Sequence, residues 1–87
     1  MKFILYSPMK ARIQRTRFPE RTGAALWVKR RIDHIREVKR ERFAGLQRLI
    51  VWMRNTTRLE MYGNASELDA FIAEVLPNQP IEIEEDV

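Results

Sequence analysis

Residues 46–63, LQRLIVWMRNTTRLEMYG, form the longest run of strand-forming residues in this 87-residue chain, broken once at Asn55-Thr56. Two such runs joined by an asparagine-containing break predict a β-hairpin, because Asn tolerates the turn backbone that strand formers resist. Side chains alternate across a strand, so Leu49, Val51 and Met53 share one face and Ile50 and Trp52 the other. In the second strand Leu59 and Met61 face one way, and Arg58, Glu60 and Tyr62 the other. The Leu49, Val51, Met53, Leu59 and Met61 face is the expected core side. Trp52 and Tyr62 then fall on the opposite face, where they either stack bases or anchor a partner, or brace the sheet as cross-strand neighbours.

The flanks of the hairpin read as helices that cover one of its faces. After it, Asn64 with Glu67 three residues on is a capping-box signature. Leu68, Phe71, Ile72 and Val75 repeat at helical spacing, and Pro77 stops the helix. Beyond Pro80, Ile81 and Ile83 alternate with Glu82 and Glu84, predicting a short final strand and an acidic tail over residues 84–87.

Before the hairpin, residues 2–6 read as a first strand and Ser7-Pro8 as a turn. The basic segment 9–21 has two readings. Ile13 with Ala11, and Arg12 with Gln14 and Thr16, allow a second strand pairing back on the first; an extended basic loop fits equally well. A first helix is expected over about residues 22–43, with Thr22 as N-cap and Gly45 just past its end. Ala25, Val28, Ile32 and Ile35 form its apolar stripe, continued to Phe43 with Val38 at the margin, although Lys39 and Arg42 interrupt it. At 1.5 Å per residue such a helix would be roughly 33 Å long. Its outer face would carry Lys29, Arg30, Arg36 and Arg40 among Asp33, Glu37 and Glu41, with Lys29–Asp33, Asp33–Arg36 and Glu37–Arg40 as i,i+4 or i,i+3 pairs. That face is either a solvated helix surface or a binding surface. The order strand, helix, strand, strand, helix, short strand predicts one α+β domain, a ferredoxin-like two-layer sandwich with an antiparallel-rich sheet.

Composition narrows the function classes. Residues 10–48 hold 13 Lys and Arg against 4 Asp and Glu, whereas residues 49–87 hold 2 against 8. So uneven a split implies an acidic partner or pairing between the two halves. Cysteine is absent, and the single histidine, His34, cannot build a metal site alone. No apolar run is long enough for a signal peptide or a membrane span, so a cytoplasmic protein with no membrane association is expected. The sequence contains no Gly-rich phosphate loop, no Ser/His/Asp set and no zinc spacing, and Gly23, Gly45 and Gly63 all sit at element boundaries. No cofactor is implied.

One resemblance attaches to the hairpin. Trp52-Met53-Arg54-Asn55, Arg58-Leu59-Glu60, Gly63 and Leu68-Asp69-Ala70-Phe71 resemble the second half of the acylphosphatases. Residues 77–87 are similar to that family's final strand, and Leu26-Trp27-Val28-Lys29-Arg30-Arg31 to the start of its first helix. The resemblance covers about half the chain and implies a ferredoxin-like fold and acyl-phosphate hydrolysis, with the family's catalytic asparagine at Asn55. Its phosphate-loop arginine has no counterpart: the two possible alignments place Ala25 or Pro19 there, and the loop glycines are missing. Arg17 or Arg21 are the available substitutes. A second similarity, to a family of small recombinase modulators, rests on strand order and the acidic C-terminus.

These readings converge on a non-catalytic basic binding module or a small regulator or inhibitor, whose partner is an acidic protein surface or a nucleic-acid backbone. Arg12, Arg15, Arg17, Arg21, Lys29, Arg30, Arg36 and Arg40, with Trp52 and Tyr62, are the expected binding residues. Arginine outnumbers lysine, which favours bidentate phosphate or carboxylate contacts. The alternative is a small acylphosphatase-like phosphohydrolase acting through Asn55. The size of the chain also suits a phage- or plasmid-borne regulator, and an exposed strand edge would suit a homodimer.

Overall fold

In the computed structural model, which describes residues 1–10, 12–43 and 45–85, the hairpin lies inside a six-stranded sheet. The strands are β1 (Lys2–Met9), β2 (Arg12–Phe18), β3 (Ile35–Arg42), β4 (Gln47–Met53), β5 (Arg58–Gly63) and β6 (Ile81–Glu85). The helices are α1 (Arg21–Lys29) and α2 (Ala65–Val75), and a single 3-10 turn covers Ile32–His34. The sheet order is β2-β1-β5-β4-β3-β6. Every neighbouring pair is antiparallel except β3 and β6, which makes the sheet mixed. The result is a small α+β protein with two layers.

The ferredoxin-like order is therefore incorrect. Two segments overturn it. The first is 9–21, where Arg12–Phe18 forms an edge strand paired along its length with β1; the Ala11 part of that reading lies outside the described residues. The second is 22–43, where the helix stops at Lys29 and residues 35–42 become strand. The helical reading of this segment rested on the stripe Ala25, Val28, Ile32 and Ile35 continued to Phe43, with Val38, three residues after Ile35, at its margin. In the structure a β-bulge between Ile35 and Glu37 supplies the extra residue, so both side chains reach the core from a strand. From Val38 onward the period is two: Val38 and Arg40 point toward the helices, and Glu37, Lys39 and Glu41 point away. Lying between β4 and β6, β3 satisfies its backbone on both sides, which overrides the helix propensity of its charged residues. Gly45, read as a helix C′ residue, instead follows β3 at φ +89° in the connection to β4. The N-cap of α1 is Glu20, not Thr22, and its side chain makes no capping hydrogen bond.

Both helices pack on one face. The small residues Ala24 and Ala25 bring α1 close to the sheet beside Val28, while α2 contributes Leu68, Phe71 and Val75. They bury Phe3 of β1, Val38 of β3, Leu49, Val51 and Met53 of β4, and Leu59 and Met61 of β5. The capping box at the start of α2 is complete: the Glu67 N–H donates to Asn64 Oδ1 at 2.9 Å, and the Asn64 N–H donates to Glu67 Oε1 at 3.0 Å. The charged pairs read along a long first helix do not form, because α1 ends at Lys29, which pairs with Glu74 rather than Asp33, and Arg36 and Arg40 belong to the sheet. Arg40 instead points into the helix layer, 6% exposed, and donates to Gln47 and to Asp69 of α2 at 2.6 Å. No helix of the described residues is long and apolar enough to cross a membrane.

Candidate functional site

The other face of the sheet is covered by neither helix. Ile4 and Ile50 are buried yet stand outside the core cluster, because on this face they are shielded by the long side chains around them. The residues that register places here are Arg15 and Arg17 on β2, Tyr6 on β1, Arg58, Glu60 and Tyr62 on β5, Arg48 and Trp52 on β4, and Glu37, Lys39 and Glu41 on β3. Charge runs from basic at β2 to acidic at β6, which carries Glu82 and Glu84 on this side.

One row crosses five strands. The Arg15 guanidinium lies 5.9 Å from the Tyr6 ring centroid, and Arg58, from the strand on the other side of β1, lies 4.1 Å from the same centroid. Arg58 is also 5.2 Å from the Trp52 ring, and Arg36 is 5.3 Å from Trp52. Register explains the alignment, since Tyr6 is opposite both Arg15 and Arg58, and Arg58 is opposite Trp52. Strand spacing sets the two rings about 10 Å apart, with β5 between them. Beside the row, a groove of about 640 Å³ is lined by Ile4, Tyr6, Arg15, Leu46 and Tyr62.

Glu60 organises the centre of this face. It is 4% exposed and accepts from Arg58 Nε at 2.7 Å, from Tyr62 Oη at 2.5 Å and from Arg48 Nη1 at 3.3 Å. Burial alone would raise its pKa, but the bonds from Tyr62 and Arg58 and the charges of Arg58 and Arg48 outweigh that and hold it below the ordinary carboxylate value. Glu60 therefore stays ionised and fixes the plane of Arg58 between the two rings. Burial and the bond to Glu60 push the Tyr62 phenol up.

Of the residues expected from sequence to bind a partner, the structure brings Arg15, Arg17, Arg36, Trp52 and Tyr62 to this face. The rest lie elsewhere. Arg21 pairs with Glu74 of α2 at 2.5 Å and lies 5.3 Å from the Phe71 ring, and Lys29 joins the same Glu74 at 3.4 Å. Arg30 is the exposed C-cap of α1, Arg40 is buried on the opposite side, and exposed Arg12 projects from β2 to the helix side. Sequence reasoning overlooked Tyr6, Arg58, Arg48 and Glu60. The signal for three of them was present, because the alternation of residues 58–62 and 48–52 already set them beside Trp52 and Tyr62.

Asn55 sits in the β4–β5 turn, where its Oδ1 accepts from the Thr57 N–H at 3.2 Å. It also lines a cleft of about 420 Å³ at the end of the sheet with Trp27, Arg31, His34, Arg54 and Thr57. The Arg31 guanidinium there is committed to Trp27, 4.5 Å from its ring and 3.1 Å from its carbonyl oxygen. Neither Arg17 nor Arg21 lines this cleft. Among the described residues no group of three His, Asp or Glu side chains could hold a metal ion.

Comparison with family models, with curated proteins and with solved structures finds no match to this chain. The functional reading rests on the site itself.

Proposed function

We propose that this chain is a non-catalytic module that binds single-stranded nucleic acid on the uncovered face of its sheet. The observation that carries the reading is the row of Arg15, Tyr6, Arg58, Trp52 and Arg36, in which two aromatic rings alternate with three guanidinium groups. Aromatic and guanidinium planes stack on any base, because every base has a π-face, and the arginines neutralise the backbone that carries those bases. Arg15, Arg17 and Arg36 are exposed and free to form bidentate phosphate contacts. An acidic protein surface would pair with the arginines and could seat against a ring, whereas a single strand uses the charges and the flat faces together along the whole row. The row therefore favours nucleic acid of the two partner classes.

Contacts to three phosphates on a single strand correspond to a slope of about −2 in log affinity against log salt concentration. Fluorescence anisotropy of a short labelled oligonucleotide, titrated at several salt concentrations, tests this. Saturable binding with a slope near that value supports the reading. Absence of binding at low salt, or an affinity indifferent to salt, rejects it, and equally effective displacement by poly-glutamate would assign the face to acidic proteins.

A further inference from the structure

The sheet is open, and its two edges carry opposite charge. β2 presents Arg12, Arg15 and Arg17 along one edge, and β6 presents Glu82, Glu84 and Glu85 along the other. Six of the seven β2 residues and four of the five β6 residues are exposed. Neither strand contains the internal proline or bulge that commonly blunts an edge, since Pro19 follows β2 and Pro80 precedes β6. We infer that copies of this chain associate head to tail, the β6 edge of one pairing with the β2 edge of the next.

Charge and geometry select this arrangement over a symmetric dimer. Pairing β2 with β2 sets arginine against arginine, and pairing β6 with β6 sets glutamate against glutamate, both unfavourable between facing strands. Pairing β6 with β2 brings unlike charges together at matching spacing. Arg15 and Arg17 are two residues apart on the uncovered face, and so are Glu82 and Glu84. The strand directions fix the orientation. Through the pairings across the sheet, β2 and β6 run the same way, so copies that keep their helices on one side join by a parallel pair. In that register Arg15 lies beside Glu82 and Arg17 beside Glu84, while exposed Ile83 meets Thr16 on the helix side. Turning one copy over would make the pair antiparallel but carry the arginines to the wrong face.

Glu84 already faces Lys39 at 3.5 Å, yet 60% of its side chain remains exposed to a second cation. A contact that joins two different edges leaves one of each free at the ends. The assembly therefore grows beyond a dimer into a ring or a filament. Arg15 and Arg17 also stand on the face proposed for nucleic acid, so the test is run without oligonucleotide and its outcome does not depend on that binding.

Sedimentation from micromolar to millimolar protein, at low and at high salt, tests it with two charge-reversed variants. Arg15→Glu/Arg17→Glu makes both edges acidic, and Glu82→Lys/Glu84→Lys makes both basic. All four positions are on edge strands, and circular dichroism verifies that each variant is folded. Wild type is expected to climb past the mass of a dimer with concentration and to fall back in high salt. Each variant alone is expected to stay monomeric, and an equimolar mixture to associate again. A wild type that stays monomeric, an assembly that stops at the dimer, variants that associate like wild type, or a mixture that fails to associate would overturn the inference. Should a variant not fold, the concentration and salt dependence of the wild type decides alone.

Discussion

The Arg58 guanidinium lies 4.1 Å from the centroid of the Tyr6 ring, on the strand beside it. Glu60, two residues along β5, holds that guanidinium through a 2.7 Å bond to Nε. A buried carboxylate thus fixes a cation between two aromatic rings, and the resulting row is built before any partner arrives. Such preorganisation lowers the ordering cost of binding.

Removing a ring from the row should weaken oligonucleotide binding more than it weakens the fold. Trp52→Ala and Tyr6→Ala are each expected to cost about 1–3 kcal/mol of binding, the usual range for one stacked base. Arg58→Lys should also weaken binding, because an ammonium keeps the charge but loses the plane. Anisotropy titrations beside urea unfolding separate the two effects, and equal losses in both would mean the row serves only the sheet.

Acid should destabilise this protein through Glu60, Glu67 and Glu74, all held below the ordinary value of 4.5. A backbone bond from Asn64 is the main cause at Glu67, and a bond from Arg21 at Glu74. A carboxylate depressed by folding contributes its full stability above its unfolded pKa and loses it as the pH falls through the folded value. Stability should therefore drop below about pH 4.5, and Glu60→Gln should flatten that limb. Tyr62 has the opposite sign. Its raised pKa contributes stability below the ordinary value of 10, lost as the pH rises through the folded value. Urea midpoints across pH measure both limbs.

Arg40 and Asp69 form an uneven pair, with side chains 7% and 65% exposed. Asp69→Ala leaves a buried guanidinium with only Gln47 and the Ala65 carbonyl, at an expected cost of about 1–3 kcal/mol. Arg40→Met removes the buried charge instead and should be close to neutral. Chemical denaturation of the two variants tests the asymmetry, and the reverse ranking would contradict it.

The β4–β5 turn holds Thr56 at φ +69°, a left-handed conformation that a β-branched residue resists. Thr56→Asn should raise stability by about 1 kcal/mol. Asn55→Ala should lower stability by about 1 kcal/mol through the lost bond to Thr57. On the binding-module reading it should leave acyl-phosphate turnover unchanged from wild type. A loss of turnover on Asn55→Ala would move the function to the cleft at that turn.

The hairpin and the second helix were legible in the sequence because each follows one period without interruption. Leu49, Val51 and Met53 alternate, Leu68, Phe71, Ile72 and Val75 keep helical spacing, and Asn64 and Glu67 cap where they should. β3 was not legible. Its bulge turned a period of two into an apparent spacing of three at Ile35 and Val38, and its arginines and glutamates read as a helix surface. That error displaced Arg36 and Arg40 together. One belongs beside Trp52, and the other is buried against α2. The candidate site was half visible, since Trp52 and Tyr62 were placed on the uncovered face. Tyr6 and the β2 arginines needed the strand order, which only long-range pairing supplies.

The central claim is that bases stack on the uncovered sheet face. Trp52 fluorescence in a Trp27→Phe background, followed as an unlabelled oligonucleotide is added at low salt, tests it most directly, because Trp52 is then the only indole in the chain. Saturable quenching that reverses on addition of salt and that weakens with Arg58→Lys is the predicted result. Emission from Trp52 that stays constant while anisotropy shows the oligonucleotide bound would contradict it.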